Sequence, residues 1–173
     1  SDQTVACWAK VLEAVPDSRL LLKAKQLDNP MVQEETFARF EVHGIDRQRL
    51  TLKSKSSEKA EHLHTYNEMD IALDPFPYAG VTTSIEALWM GTPVLALKGD
   101  RFVSHMGESL LHNMGLEAWI ADTPEDYVKK IKDFASDPQD LSFLQKNLRN
   151  RLLGSPICDA PRFAGNLEAA FRE

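Results

Sequence analysis

The chain has 173 residues, 43% of them hydrophobic, and a formal charge of −6 at pH 7. This length predicts one domain, with or without an attached terminal piece, and the hydrophobic content is sufficient for a buried core. The negative charge argues against a general nucleic-acid-binding surface, although a helix end or a pair of lysines can still bind an anionic ligand.

The sequence contains no apolar run as long as a membrane span and no secretory signal, so we expect no membrane partner. Its two cysteines, Cys7 and Cys158, form neither a CxxC metal motif nor a readable disulfide pattern. This cysteine usage favours a reducing compartment, and the expectation is a cytoplasmic protein. The first residues lead directly into a helical pattern, which is typical of a chain cut from a longer one.

Apolar periodicity and turn residues predict helices that alternate with short strands along the chain. Strands are predicted at residues 19–25, 49–53, 71–74, 93–97 and 118–120, and helices at residues 4–14, 30–42, 56 onward, 82–90, 102–113, 123 onward, after 138 to about 153, and 161–172. Strands separated by helices of this length form a parallel sheet with helices on both faces, so the expected fold is α/β and Rossmann-like. We expect residues 1–154 to form this lobe and residues 155–173 to form a linker and a terminal helix.

The loops that follow the strands are the expected place for a ligand, because α/β sheets bind ligands beyond the carboxyl ends of their strands. The sequence has no GxxxxGK[ST], GxGxxG, GxSxG or HExxH pattern, and its five histidines lack metal-ligand spacing. We therefore expect neither a metal nor a cofactor, and no residue is assigned a catalytic role.

The loop at residues 74–81 contains small residues, among them Gly80. Thr82 and Thr83 follow it at the start of the next predicted helix. Backbone N–H groups and the positive end of a helix dipole suit a diphosphate there. Glu86 lies one turn further on and could accept hydrogen bonds from ribose hydroxyls. A different interpretation is equally open, because residues 83–86 also match a capping box, in which Glu86 bonds to its own helix end.

A second candidate is the helix that follows the strand at residues 49–53. Lys59 and His62 share one face of its first turn, where lysine can meet phosphate or ribose oxygens and imidazole can stack on a base. The alternative is a solvated helix face. Arg101, in the loop at residues 98–101, could reach an anion but more simply belongs to a surface turn.

Residues 73–97, "LDPFPYAGVTTSIEALWMGTPVLAL", together with "GDRFVSHMGESLL" and the preceding "KAEHL", resemble a known family. The chain is similar over nearly its whole length to the carboxyl-terminal lobe of O-GlcNAc transferase and SPINDLY-type enzymes, glycosyltransferase family 41, in the bacterial form. That family has two Rossmann-like lobes in the GT-B arrangement, preceded by TPR repeats, and the second lobe holds most of the nucleotide sugar.

The resemblance implies a role for each candidate residue. Thr82 and Thr83 would contact the diphosphate, Glu86 the ribose, Lys59 the ribose and phosphate, and His62 the uracil. The expected donor is UDP-GlcNAc, with a GDP-sugar as the other possibility because SPINDLY-type relatives use GDP-fucose. The expected partners are the donor, the missing first lobe and the TPR repeats.

The sequence departs from the family pattern in two places. Val81 replaces a histidine of the animal enzymes, and residues 104–111 lack an arginine. The first lobe and the lysine-bearing strand that precedes the first helix lie outside this chain. We therefore expect weak donor binding and no transfer by the isolated chain, and the alternative is a non-enzymatic scaffold or sensor module.

Overall fold

A computed structural model describes residues 1–172 of the chain, and within them it contains eight α-helices and five strands. The helices are α1 (Asp2–Ala14), α2 (Pro30–Glu41), α3 (Lys59–His64), α4 (Thr82–Met90), α5 (Met106–Asn113), α6 (Pro124–Ser136), α7 (Pro138–Leu153) and α8 (Ala160–Ala170). The strands are β1 (Leu20–Lys23), β2 (Leu50–Lys53), β3 (Ala72–Leu73), β4 (Val94–Leu97) and β5 (Ile120–Ala121).

All strand pairs are parallel, which confirms the prediction of an α/β fold with parallel strands and helices. The strands form two hydrogen-bonded groups, β1 with β2 and β3 with β4 and β5. The facing strands of the two groups, β1 and β3, both line one cleft of about 920 Å³. Because the strands are parallel, the loops that follow them meet at one edge, as the site prediction requires.

Two hydrophobic clusters hold the lobe together, and α1 contributes to both. Val11 belongs to the larger cluster, in which helices pack against β4 and β5, and its neighbour Leu12 belongs to the smaller cluster around β1 and β2. Adjacent positions on one helix thus connect the two groups of strands through side-chain packing.

Several predicted boundaries were wrong by a few residues. The predicted helix at 102–113 begins with a separate 3₁₀ turn, Phe102–Ser104, before α5. The Ser104 hydroxyl closes this turn, since it accepts from the Arg101 N–H and donates to the Arg101 carbonyl. Similarly, residues 117–119 form a 3₁₀ turn, so β5 starts two residues later than predicted.

The predicted terminal helix is present as α8, and its side chains are exposed along its whole length. Phe163 and Leu167, one turn apart on this helix, are 65% and 44% exposed. Glu173 lies outside the described residues. Across residues 1–172 no helix combines the length and the apolarity that crossing a membrane would require.

Replacement of Leu88 by alanine should destabilise the lobe. Leu88 in α4 is fully buried, so Leu88→Ala should lower the free energy of unfolding by about 2–5 kcal/mol through lost transfer energy and a residual cavity. Leu153→Ala is the control because Leu153 is 50% exposed, and it should cost less than about 1 kcal/mol. Urea denaturation measures both, and equal losses would contradict this description of the core.

Candidate functional site

A buried carboxylate organises the loop between β3 and α4. Asp74 follows β3 and is 4% exposed. Its Oδ1 accepts hydrogen bonds from the Gly80 N–H at 2.9 Å and from the Ser84 hydroxyl at 3.0 Å. These bonds fold the loop back onto the first turn of α4. Burial raises the pKa of the Asp74 carboxyl to about 6, and the two hydrogen bonds oppose that rise.

Two glycines allow the close packing around this carboxylate. A Cβ at Gly80 would lie 2.6 Å from Ser84 Oγ and 2.7 Å from Thr83 Oγ1, which real contacts do not reach. A Cβ at Gly107, in the first turn of α5, would lie 2.5 Å from Asp74 Oδ2. Gly80 therefore allows the loop to pack closely against Asp74 and the first turn of α4.

The N-terminus of α4 faces outward with its polar groups accessible. The N-cap is Val81, whose apolar side chain cannot bond to the first turn, and among the described residues no N-cap side-chain bond occurs there. Thr82 and Thr83 are exposed in that turn. Backbone N–H groups and two hydroxyls thus lie at the positive end of the helix dipole, where an anion is favoured.

Glu86 points away from its own helix end. Its Oε2 lies 3.0 Å from His62 Nε2 and accepts a hydrogen bond from the Tyr66 hydroxyl at 3.2 Å. The capping-box interpretation is wrong, because α4 begins one residue before Thr83, and the third helical residue is Ser84, which bonds Asp74 instead. Glu86 therefore faces α3, where His62 lies.

Tyr66 is the site residue that sequence reasoning missed. It is buried in a 3₁₀ turn after α3, its hydroxyl also donates to the Thr83 carbonyl at 3.2 Å, and its ring packs edge-on against His62. Burial first, and then the nearby Glu86 carboxylate, raise the pKa of the Tyr66 hydroxyl above its ordinary value. The sequence could have indicated Tyr66 through its spacing from His62. Residues four positions apart share a face when a helix continues.

The structure does not bring Lys59 into this network. Lys59 is the first residue of α3, it is exposed, and its side chain forms no hydrogen bond or ion pair with another of residues 1–172. The helix begins three residues later than the predicted start at residue 56: its N-cap is Glu58, and the Ser56 hydroxyl accepts a hydrogen bond from Lys23. His62, Thr83 and Glu86 are brought together, and Lys59 is not.

The loop after β4 is organised by ion pairs. Lys98 Nζ lies 3.0 Å from Asp122 and 3.4 Å from Glu108, and Glu108 also bonds His105 at 2.7 Å. The His105 hydrogen bond is the largest effect on Glu108 and holds the pKa of its carboxyl below the ordinary value; burial opposes it, and the Lys98 charge makes a smaller contribution that lowers the pKa. Arg101 is exposed in this loop, which agrees with the surface-turn interpretation.

A model of the family described as Glycosyl transferase family 41 matches residues 1–167 of this chain. The chain belongs to glycosyltransferase family 41. It is 39% identical over 165 residues to a protein of Arabidopsis thaliana named probable UDP-N-acetylglucosamine–peptide N-acetylglucosaminyltransferase SPINDLY, and 28% identical over 166 residues to the corresponding transferase of Caenorhabditis elegans.

A solved structure of a Thermobaculum terrenum O-GlcNAc transferase mutant superposes on the family 41 chain with a TM-score of 0.92 at 36% identity. The match covers 98% of this chain and 32% of the solved chain. The Arabidopsis relative is matched over 95% of this chain but only 18% of its own length. The family and fold implied by the sequence resemblance are therefore confirmed, and the chain corresponds to a part of these longer proteins.

Replacement of Asp74 by asparagine should stabilise this family 41 lobe at neutral pH. The folded-state pKa is raised from an ordinary value of about 4 to about 6. The folded protein therefore binds a proton first as pH falls, and stability drops as pH rises from 4 to 6. Complete ionisation costs about 3 kcal/mol, whereas asparagine keeps the accepting oxygen without the charge.

Asp74→Asn should therefore raise the free energy of unfolding by about 1–3 kcal/mol at pH 7.5, with the difference vanishing near pH 4. Denaturant titrations at both pH values measure this difference in the free energy of unfolding. Asp70→Asn is the control because Asp70 is exposed. A less stable Asp74→Asn protein at pH 7.5 would show that the charge stabilises the loop.

Proposed function

We propose that this chain is the donor-binding lobe of a family 41 glycosyltransferase and that the donor is a nucleotide sugar of the UDP-GlcNAc type. The observation that carries the proposal is the accessible N-terminus of α4, with Thr82 and Thr83 exposed beside the Glu86–His62 pair. The names of the Arabidopsis and nematode relatives, which specify UDP-N-acetylglucosamine and peptide, support this donor and a protein acceptor.

The diphosphate is assigned to the N-terminus of α4. First-turn N–H groups and the hydroxyls of Thr82 and Thr83 supply donors, and the helix dipole supplies a favourable potential. The absence of a side chain at Gly80 lets the loop pack against the first turn of α4, because a Cβ there would collide with Thr83 and Ser84.

The nucleoside is assigned to the surface between α3 and α4. Glu86 is partly exposed, and His62 and Tyr66 hold its carboxylate toward α3, where it can accept hydrogen bonds from ribose hydroxyls. The His62 side chain is 33% exposed, so its ring remains available to a base. Lys59, exposed on the first turn of α3, is assigned a contact with ribose or phosphate.

The proposed reaction is a displacement at the anomeric carbon of the donor. An acceptor hydroxyl oxygen forms a bond to that carbon as the bond to the β-phosphate oxygen breaks, and negative charge grows on the departing nucleoside diphosphate. The N-terminus of α4 stabilises that charge, which is the contribution this lobe makes to the rate. The group that takes the acceptor's proton is assigned to the rest of the enzyme.

We assign the remaining functions to other parts of the longer protein, a first lobe and TPR repeats. The cleft between β1 and β3 is where the lysine-bearing strand implied by the family resemblance would fit, since the facing strands of the two groups both line it. Trp8 also lines this cleft, and its buried Nε1–H has no hydrogen-bond partner among residues 1–172. A strand there would complete one continuous sheet.

Calorimetric titration of the chain with UDP and with GDP tests the proposal. UDP should bind, and Thr82→Ala/Thr83→Ala should weaken it about 10–30-fold, because each lost hydroxyl is worth about 1 kcal/mol. Glu86→Gln should weaken UDP more than it weakens inorganic diphosphate, because it removes a ribose contact and spares the phosphate contacts. Thr36→Ala is the control, since its hydroxyl bonds only within α2.

Two results would contradict the proposal. Equal UDP affinity of wild type and the double threonine variant would show that the diphosphate does not bind at the N-terminus of α4. Absence of UDP and GDP binding by wild type would instead favour the second candidate, a scaffold module, which Val81 and the missing arginine of residues 104–111 also favour.

A further inference from the structure

The lysine at the end of β1 joins both flanks of α3. Lys23 Nζ donates to Ser56 Oγ at 2.6 Å and to Thr65 Oγ1 at 2.8 Å. Ser56 lies in the segment that leads into α3, and Thr65 directly follows its last residue, His64. One ammonium group therefore connects the entry and the exit of this helix to the end of a strand.

Few other contacts fix the position of α3: Leu63 packs against the larger hydrophobic cluster, and His62 bonds Glu86. The helix is six residues long and, within the described chain, contains no buried residue and no N-cap side-chain bond. Helices of this length are unstable on their own and depend on tertiary contacts. The tie to Lys23 is therefore a major constraint on where the side chains of α3 lie.

Lys23 differs from Lys53 in the kind of group that it bonds. The two lysines are register partners in β1 and β2, and Lys53 forms an ion pair with Glu68 at 2.6 Å. Lys23 forms no ion pair to a carboxylate within residues 1–172, and its two partners are neutral hydroxyls. One of them, Thr65, is buried. The bonds of Lys23 thus serve to hold α3 and not to neutralise an acid.

We propose that Lys23 is a positioning residue for the donor site, acting through α3. The tie fixes α3, α3 presents His62, and His62 bonds the Glu86 carboxylate at 3.0 Å. Loss of the tie therefore releases the pair of residues assigned to the base and the ribose. This inference rests on the proposed function for its effect on binding, while the tie itself can be measured without a ligand.

The first measurement is amide hydrogen exchange of the ligand-free chain. In Lys23→Met, which keeps the length and apolar stem but removes the charge, the His62 and Thr65 amides should exchange about tenfold faster. These amides donate to the Glu58 and Glu61 carbonyls, so they report on α3 directly. Lys25→Met is the matched control, because Lys25 is exposed, and α6 amides should be unchanged in both variants. Unchanged amide exchange in Lys23→Met would show that the bonds of Lys23 do not hold α3 in place.

The second measurement is the UDP dissociation constant of the same proteins. Lys23→Met should raise it about tenfold, equal to about 1.4 kcal/mol, and Lys25→Met should change it less than twofold. Lys23→Arg keeps the charge and can bond both hydroxyls, so it should restore affinity to within about threefold of wild type.

The two measurements separate the possible failures. Faster α3 exchange with unchanged UDP affinity would overturn the positioning role while leaving the tie in place. Equal weakening by Lys23→Met and Lys25→Met would show a general effect of charge on the anion and would also overturn it. If wild type binds no UDP, the proposed function fails together with the positioning role, and the exchange result still decides the tie.

Discussion

Asp74 accepts hydrogen bonds from the Gly80 N–H and the Ser84 hydroxyl, and the rest of the candidate site depends on these two bonds. They occupy the Ser84 side chain and set where α4 begins, which leaves Thr82 and Thr83 exposed in its first turn. Burial of a carboxylate is costly, and its raised pKa reflects that cost. The hydrogen bonds from Gly80 and Ser84 offset part of that cost.

The second half of the site is held by side chains that converge on Glu86. His62 reaches this carboxylate from α3, and Tyr66 bonds both the carboxylate and the Thr83 carbonyl, so the two helices are joined at the place assigned to the nucleoside. Removal of either partner would leave a partly buried charge with fewer hydrogen bonds, which is more costly than the bond itself is worth. The α3 side of this arrangement ends at Lys23, whose bonds run back to the sheet.

The sequence predicted the order of helices and strands and the helix that bears Thr82, Thr83 and Glu86, because these follow from local patterns. It also predicted a helix from residue 123 onward, and α6 begins at Pro124 with the Thr123 hydroxyl accepting from the Asp126 N–H. It could not decide the direction of Glu86, since residues 83–86 fit a capping box equally well and the outcome depends on His62 and Tyr66. The start of α3 was predicted too early for a related reason, because the non-local partner Lys23 bonds the Ser56 hydroxyl. Choices between a local and a distant hydrogen-bond partner are set by packing, which one sequence does not display.

The central claim is that the N-terminus of α4 and the adjoining surface of α3 form one nucleotide-binding site. Backbone amide NMR spectra of the labelled chain, recorded during titration with UDP, test this most directly. The account predicts that the largest shift changes fall at residues 80–86, with a second group at residues 59–66, and that they saturate together with one dissociation constant. Shift changes confined to α8 would contradict it. So would shift changes confined to the cleft that β1 and β2 line on one side and β3 on the other.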